Sequence, residues 1–88
     1  SDRVLYEGMA ESLLLPGVVG EFEIKALHAP MVSLLKAGTV LVEMPGSESG
    51  NLNERMTMVE REGRFFAILP IKQGLMRFDG LDLFAVVE

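Results

Sequence analysis

No stretch of this chain repeats apolar residues at helical spacing over the ~12 residues that a stable helix needs. Turn residues interrupt it instead at intervals of about 8–12 residues, the spacing of an all-β sandwich or small barrel. Val4-Leu5-Tyr6 is β-prone and closed by Glu7-Gly8, and Glu11 to Leu15 is ended by Pro16-Gly17. Glu21 to Ile24 alternates charge with large apolar side chains, the period of a half-buried strand. Thr39 to Met44 reads as a strand, and Arg55 to Val59 as another, turned at Glu62-Gly63 into Arg64 to Leu69. Gly74 to Phe78 follows, and Asp79-Gly80 is a two-residue hairpin signal with strand on both sides. Pro30 to Lys36 is ambiguous: Met31, Leu34 and Leu35 stand at helical spacing, in a segment too short for more than two turns. The pattern predicts an all-β fold, a small β-sandwich of about eight short strands.

Leu81, Leu83, Ala85 and Val87 alternate in the last strand and are predicted to form one apolar face of it. Pro45 to Asn53 has loop composition. Met56 and Met58 point to one side of their strand; core filling is favoured over a methionine-lined interface. There is no internal repeat, low-complexity tract or linker, so residues 1–88 read as one domain. A chain of this length buries roughly 60–65% of its unfolded surface, enough for one modest core.

The net charge is −5. Nucleic acid and anionic lipid are disfavoured, because both need clustered Lys and Arg. An acidic chain docks more naturally on a basic or neutral protein surface. The longest apolar run, Phe65 to Ile71, contains Pro70 and is far short of the ~18 residues of a membrane span. No signal-peptide pattern is present, and Ser1 in place of a start methionine leaves room for residues upstream. The absence of cysteine removes disulfides, thiolate metal sites and a cysteine nucleophile.

Little else carries chemistry. His28, the one histidine, cannot build a zinc site alone and fits a turn residue bonded to backbone better than a catalyst. Glu21 and Glu23 share a strand face, as an acid–base pair would; a solvated strand face is the more ordinary reading. The glycines form neither a phosphate loop nor a dinucleotide fingerprint. Glu54, Glu60 and Glu62 are interrupted by Arg55, Arg61 and Arg64, a mixed surface rather than a metal cage. No catalytic, cofactor or metal residue is therefore assigned.

Leu15 to Pro30, L-P-G-V-V-G-E-F-E-I-K-A-L-H-A-P, is the most specific segment. It resembles the signature of the epsilon subunit of F-type ATP synthases (delta in mitochondria), in which L-P-G-x-x-G-E-F-G-I leads through a Pro-Gly turn into H-A-P. Weaker likeness extends over Val4 to Gly8, Leu34 to Gly38, Gln73 to Leu75 and Asp79 to Val87. The resemblance implies a non-catalytic rotor part of the central stalk. Such a part holds the gamma subunit and touches the polar loops of the membrane ring during proton-driven ATP synthesis, at the cytoplasmic face of the inner membrane or its organellar equivalent. Carried over position by position, it marks Glu21, Phe22, His28 and Pro30 as partner contacts, with Glu21 facing a basic ring-loop side chain.

The departures are Glu23 where the family has Gly, and Lys25-Ala26-Leu27 in place of its Pro-Gly turn, so that loop is expected to differ in shape. The family's first strand has no counterpart ahead of Ser1, which implies a vulnerable sheet edge at Val4 to Glu7. Its C-terminal helical hairpin, which carries the inhibitory and ATP-binding functions, has no counterpart either, so neither ATP binding nor another cofactor is expected. A stand-alone sandwich adaptor is the alternative function. A small hydrolase using Glu21 and Glu23 ranks last, since it lacks a nucleophile–base pair.

Overall fold

The computed structural model describes residues 3–25, 28–46, 55–80 and 83–88. They form nine strands: β1 (Val4–Met9), β2 (Ser12–Pro16), β3 (Glu21–Lys25), β4 (Met31–Leu35), β5 (Gly38–Met44), β6 (Thr57–Arg61), β7 (Arg64–Ile71), β8 (Gly74–Phe78) and β9 (Leu83–Val87). A four-stranded sheet runs β1-β9-β8-β4 and a five-stranded sheet runs β3-β2-β5-β7-β6. Every paired neighbour is antiparallel. The predicted all-β sandwich is what forms. Its additional strand is β4, whose helical spacing yields to pairing with β8 along its whole length. Among the described residues no helix is long and apolar enough to cross a membrane.

Alternation builds the core. In β5, Val40, Val42 and Met44 point inward; in β7, Ala67, Leu69 and Ile71 do. They meet Tyr6, Met76, Phe84 and Val86 of the other sheet in one apolar cluster, against which Phe22, Met31, Met58 and Phe65 pack. Met56 belongs to this core, as its sequence position suggested. No charged side chain is buried among the described residues, and the buried Tyr6 hydroxyl donates to Met44 Sδ at 3.7 Å from one sheet to the other, so apolar burial and dispersion dominate what holds the sheets together.

Local devices fit the strands to their places. In β1 the register passes from Val4↔Val87 to Tyr6↔Val86, leaving Leu5 as a bulge. Both Leu5 and Tyr6 are thereby buried, and the Tyr6 ring stacks on Phe84 at 5.1 Å. Strand β1 runs on through Glu7-Gly8 rather than stopping there, because Gly8 fits opposite Phe84. The outer end of this edge strand is tied: Arg3 and Glu88 exchange backbone hydrogen bonds of 3.1 and 2.8 Å. Pro70 is tolerated in β7 because the paired part of β6 stops at Thr57↔Ile68; the Arg55 guanidinium donates to the Pro70 carbonyl at 3.2 Å. The β6–β7 turn is Glu62-Gly63, with φ of 53° and 77°, the signature of a primed hairpin turn.

The last strand is apolar on more than the one face read from the sequence. Phe84 and Val86 fill the core, not the alternate set. Ala85 is buried outside the core cluster and Val87 is half-buried. Both faces of Phe84-Ala85-Val86-Val87 are apolar, so alternation there carries no phase; pairing of Val86 with Tyr6 and Met76 sets it. Leu81, the Leu83 side chain and most of the Pro45–Asn53 loop lie outside the described residues.

On the outer face of the five-stranded sheet, the Arg64 guanidinium donates two hydrogen bonds of 2.8 Å to Glu43, and Ser12 Oγ donates a third of 3.1 Å. These bonds, Arg64 first, hold the Glu43 carboxyl below its ordinary value of 4.5 against the opposing effect of burial. A carboxylate depressed in the folded state stabilises above its unfolded value and loses that contribution as pH falls through the folded one. Glu43→Gln is therefore expected to lower the urea midpoint at pH 7, with the gap from wild type closing below about pH 4. A gap that stays constant into acid would show that packing, not charge, sets the effect.

Candidate partner-binding site

The β2–β3 connection presents the first pair of candidate contacts. Backbone bonds from Gly17 N to Leu15 O and from Gly20 N to Gly17 O, both 3.1 Å, fold the chain back tightly. Gly17 is required by close approach: a Cβ there would lie 2.7 Å from the Phe22 ring and 2.8 Å from the Gly20 carbonyl oxygen. The turn is bonded to the other sheet through Val18 N to Leu34 O at 3.3 Å and Lys36 N to Pro16 O at 2.9 Å. It is held from both sides, yet its tip is bare: Val18 is 55% and Val19 98% exposed. Glu21 follows, exposed, at the start of β3 opposite Pro16. Phe22 is half-buried and turned toward the core over Gly17, so its first role is to close the sandwich.

His28 and Pro30 form the second pair, at the opposite end of the sandwich. Strand β3 separates the two by about 13 Å, four rises of extended chain. His28 N donates to Lys25 O at 3.3 Å, and its ring Nδ1 lies 2.8 Å from Ala29 O, which only a protonated Nδ1 satisfies. The imidazole stands edge-on to Phe78 at 6.5 Å and is exposed. Pro30 is exposed and abuts Gly80, where a Cβ would lie 2.6 Å from the Pro30 ring. The four candidates thus occupy two ends, not one patch. The Lys25-Ala26-Leu27 departure falls partly outside the described residues.

Sequence reasoning missed an apolar row at the turn end. On the outer face of the four-stranded sheet, register aligns Leu34, Leu75, Val87 and Val4 across all four strands. Leu34 is 61% and Val4 58% exposed. With Val18, the Leu34, Leu75 and Val87 side chains line an open groove of about 350 Å³. Four strands far apart in sequence supply this row, so only the pairing reveals it. Lys36 and Lys72, both exposed, occupy the adjoining turns, since Gly38 pairs Ile71 and Leu35 pairs Gly74. The end that carries Glu21 therefore combines bare aliphatics with charges of both signs. Such a surface fits protein docking better than catalysis. Glu21 and Glu23 are both exposed on an outermost strand. No group of three or more His, Asp or Glu among the described residues could hold a metal ion.

The nine strands of the described residues, antiparallel in two sheets, place the chain in the class of small β-sandwich domains. The family is more specific: residues 1–60 match the model of the ATP synthase delta/epsilon chain β-sandwich domain, and the chain belongs to that family. It is similar to the ATP synthase epsilon chain of Verminephrobacter eiseniae, 41% identical over 49 residues, covering 54% of this chain and 36% of that relative. The epsilon chain of a Nitratiruptor species is 33% identical over 51 residues, covering 58% and 40%. That of Helicobacter pylori strain P12 is 46% identical over 39 residues, covering 44% and 32%. The matched segments thus span about a third of the length of these relatives. No solved structure matches the chain.

Proposed function

We propose that this chain is the sandwich portion of a central-stalk rotor subunit. It joins the gamma subunit to the membrane ring of a proton-driven ATP synthase and has no active site of its own. The family match over residues 1–60 carries the reading, because it contains the whole turn from Pro16 to Gly20 and the Glu21 strand start. The physical requirement of such a part is a stiff body that transmits torque without deforming. A continuous core shared by both sheets, with the docking turn bonded to each, supplies that stiffness. In this reading the protein is peripheral, held at the cytoplasmic side of the membrane by other subunits. Gentle detergent extraction and affinity purification of the tagged chain from its own cells tests it. The ATP synthase catalytic and ring subunits are expected to co-purify; recovery of a different, defined complex would replace the rotor reading by that of an adaptor.

Glu21 is assigned to a basic ring-loop side chain at this end. Glu21→Lys is expected to leave thermal stability within about 0.5 kcal/mol of wild type, as for an exposed strand start. It should also weaken assembly on the ring, because attraction becomes repulsion. A variant that melts lower yet assembles normally would make Glu21 a structural residue instead.

A further inference from the structure

The outer face of the five-stranded sheet holds a feature that the rotor assignment leaves unused. Outward positions of a half-solvated antiparallel sheet are ordinarily polar. Here register places Leu14, Leu41 and Ile68 in one outward row, with Phe66 and Val59 paired in the next. All five are half-buried rather than covered. Leu41, Val59, Phe66 and Ile68 line a concavity of about 270 Å³ whose remaining wall is Arg61. That volume lies just under the ~300 Å³ at which small-molecule pockets begin, so the concavity has room for a side chain or two and not for a cofactor.

The charges at its rim are unequal. Arg61 and Arg64 are direct cross-strand partners, an arrangement of like charges that destabilises a sheet unless each is answered. Arg64 is answered: Glu43 takes both of its hydrogen bonds, and its guanidinium stands 5.3 Å over the Phe66 ring. Arg61 is exposed, and among the described residues no carboxylate lies within ion-pair distance of it. The primed turn at Glu62-Gly63 fixes the backbone of the hairpin that carries both arginines, so the strands that form the concavity are in register before anything binds. We infer that this face takes an apolar anchor residue flanked by a carboxylate, from a partner protein: the anchor fills the Leu41–Phe66–Ile68 concavity and the carboxylate pairs with Arg61. The inference concerns a different face from the Glu21 end and stands apart from the rotor assignment.

The test is a nuclear magnetic resonance titration of the 88-residue chain. The probes are a blocked tetrapeptide with a leucine–phenylalanine core flanked by aspartates, its lysine-flanked analogue, and decanoate. The aspartate peptide is expected to shift the Leu41, Val59 and Ile68 methyls saturably, with a Kd on the order of 1 mM. It should bind about fivefold tighter than the lysine peptide, the size of one exposed charge pair. Arg61→Glu, on the surface and expected to melt like wild type, should invert that preference. Absence of saturable shifts at this face, shifts centred on Val18 and Leu34, or a peptide preference indifferent to Arg61→Glu would overturn the inference. Decanoate binding here more tightly than the aspartate peptide would also overturn it, in favour of a small amphiphile.

Discussion

Phe84→Ala is expected to cost about 3–5 kcal/mol, the range for deleting a buried aromatic side chain. Phe84 is 1% exposed and is the largest of the fully buried side chains. Its ring stacks on Tyr6 at 5.1 Å, and its strand lies between β1 and β8, so two strands lose a shared neighbour. No nearby residue can collapse into the gap cheaply: Gly8 opposite it has no side chain to offer, and Val86 is already packed. A domain of this size has only about 5–15 kcal/mol of total stability. The same loss lowers the melting temperature by about 12 °C or more, since each kcal/mol shifts a 60–100-residue domain by about 4–8 °C. Thermal and urea denaturation monitored by circular dichroism measure it. A cost under about 1 kcal/mol would mean that the core is not centred on the Tyr6–Phe84 contact.

Gly17→Ala carries the next largest effect, about 1–3 kcal/mol from forced overpacking. One neighbour of the added methyl is a ring that can tilt, but the other, at 2.8 Å, is the Gly20 backbone oxygen. Relief therefore requires moving the turn itself, and the turn is bonded to β4 through Val18 and Lys36. The substitution should shift amide resonances from Pro16 to Phe22 and from Leu34 to Lys36 together, and weaken docking at this end. Glu23→Gln, an exposed change on the same hairpin, is the control and should stay within about 0.5 kcal/mol of wild type. Equal melting of the two variants would show that the turn has slack, and would remove the argument that Gly17 is demanded by packing.

The fold was legible where alternation is clean. Val40, Val42 and Met44 alternate with half-exposed Leu41 and Glu43, so β5 announces both its extent and its buried face. The phase of β9 was not legible, because Phe84 to Val87 are apolar on both faces and the choice is made by Tyr6 and Met76 on other strands. Strand β4 was ambiguous for a related reason: Met31, Leu34 and Leu35 fit a helical turn locally, and only pairing with Leu75 and Gly74 decides against it. Gly17 and Glu21 could be read from the sequence as a turn and a strand start, and the structure puts them there. The distance between Glu21 and His28 could have been inferred from the strand between them, since extended chain separates its ends. The Leu34–Leu75–Val87–Val4 row and the Leu41–Phe66–Ile68 concavity could not. Each is assembled from register between strands remote in sequence, and no local pattern encodes register.

The proposed rotor module has to be recognised by the gamma subunit. Isothermal titration of the 88-residue chain into purified gamma subunit from the same organism tests it most directly. A one-to-one complex is expected, with a Kd of about 1 μM or tighter, corresponding to about −8 kcal/mol or more favourable. A negative heat-capacity change should accompany it, as apolar surface is buried. Absence of binding by a folded chain at tens of micromolar, roughly 1.4 kcal/mol weaker for each factor of ten, would contradict the rotor assignment and leave a β-sandwich of the same family with a different partner.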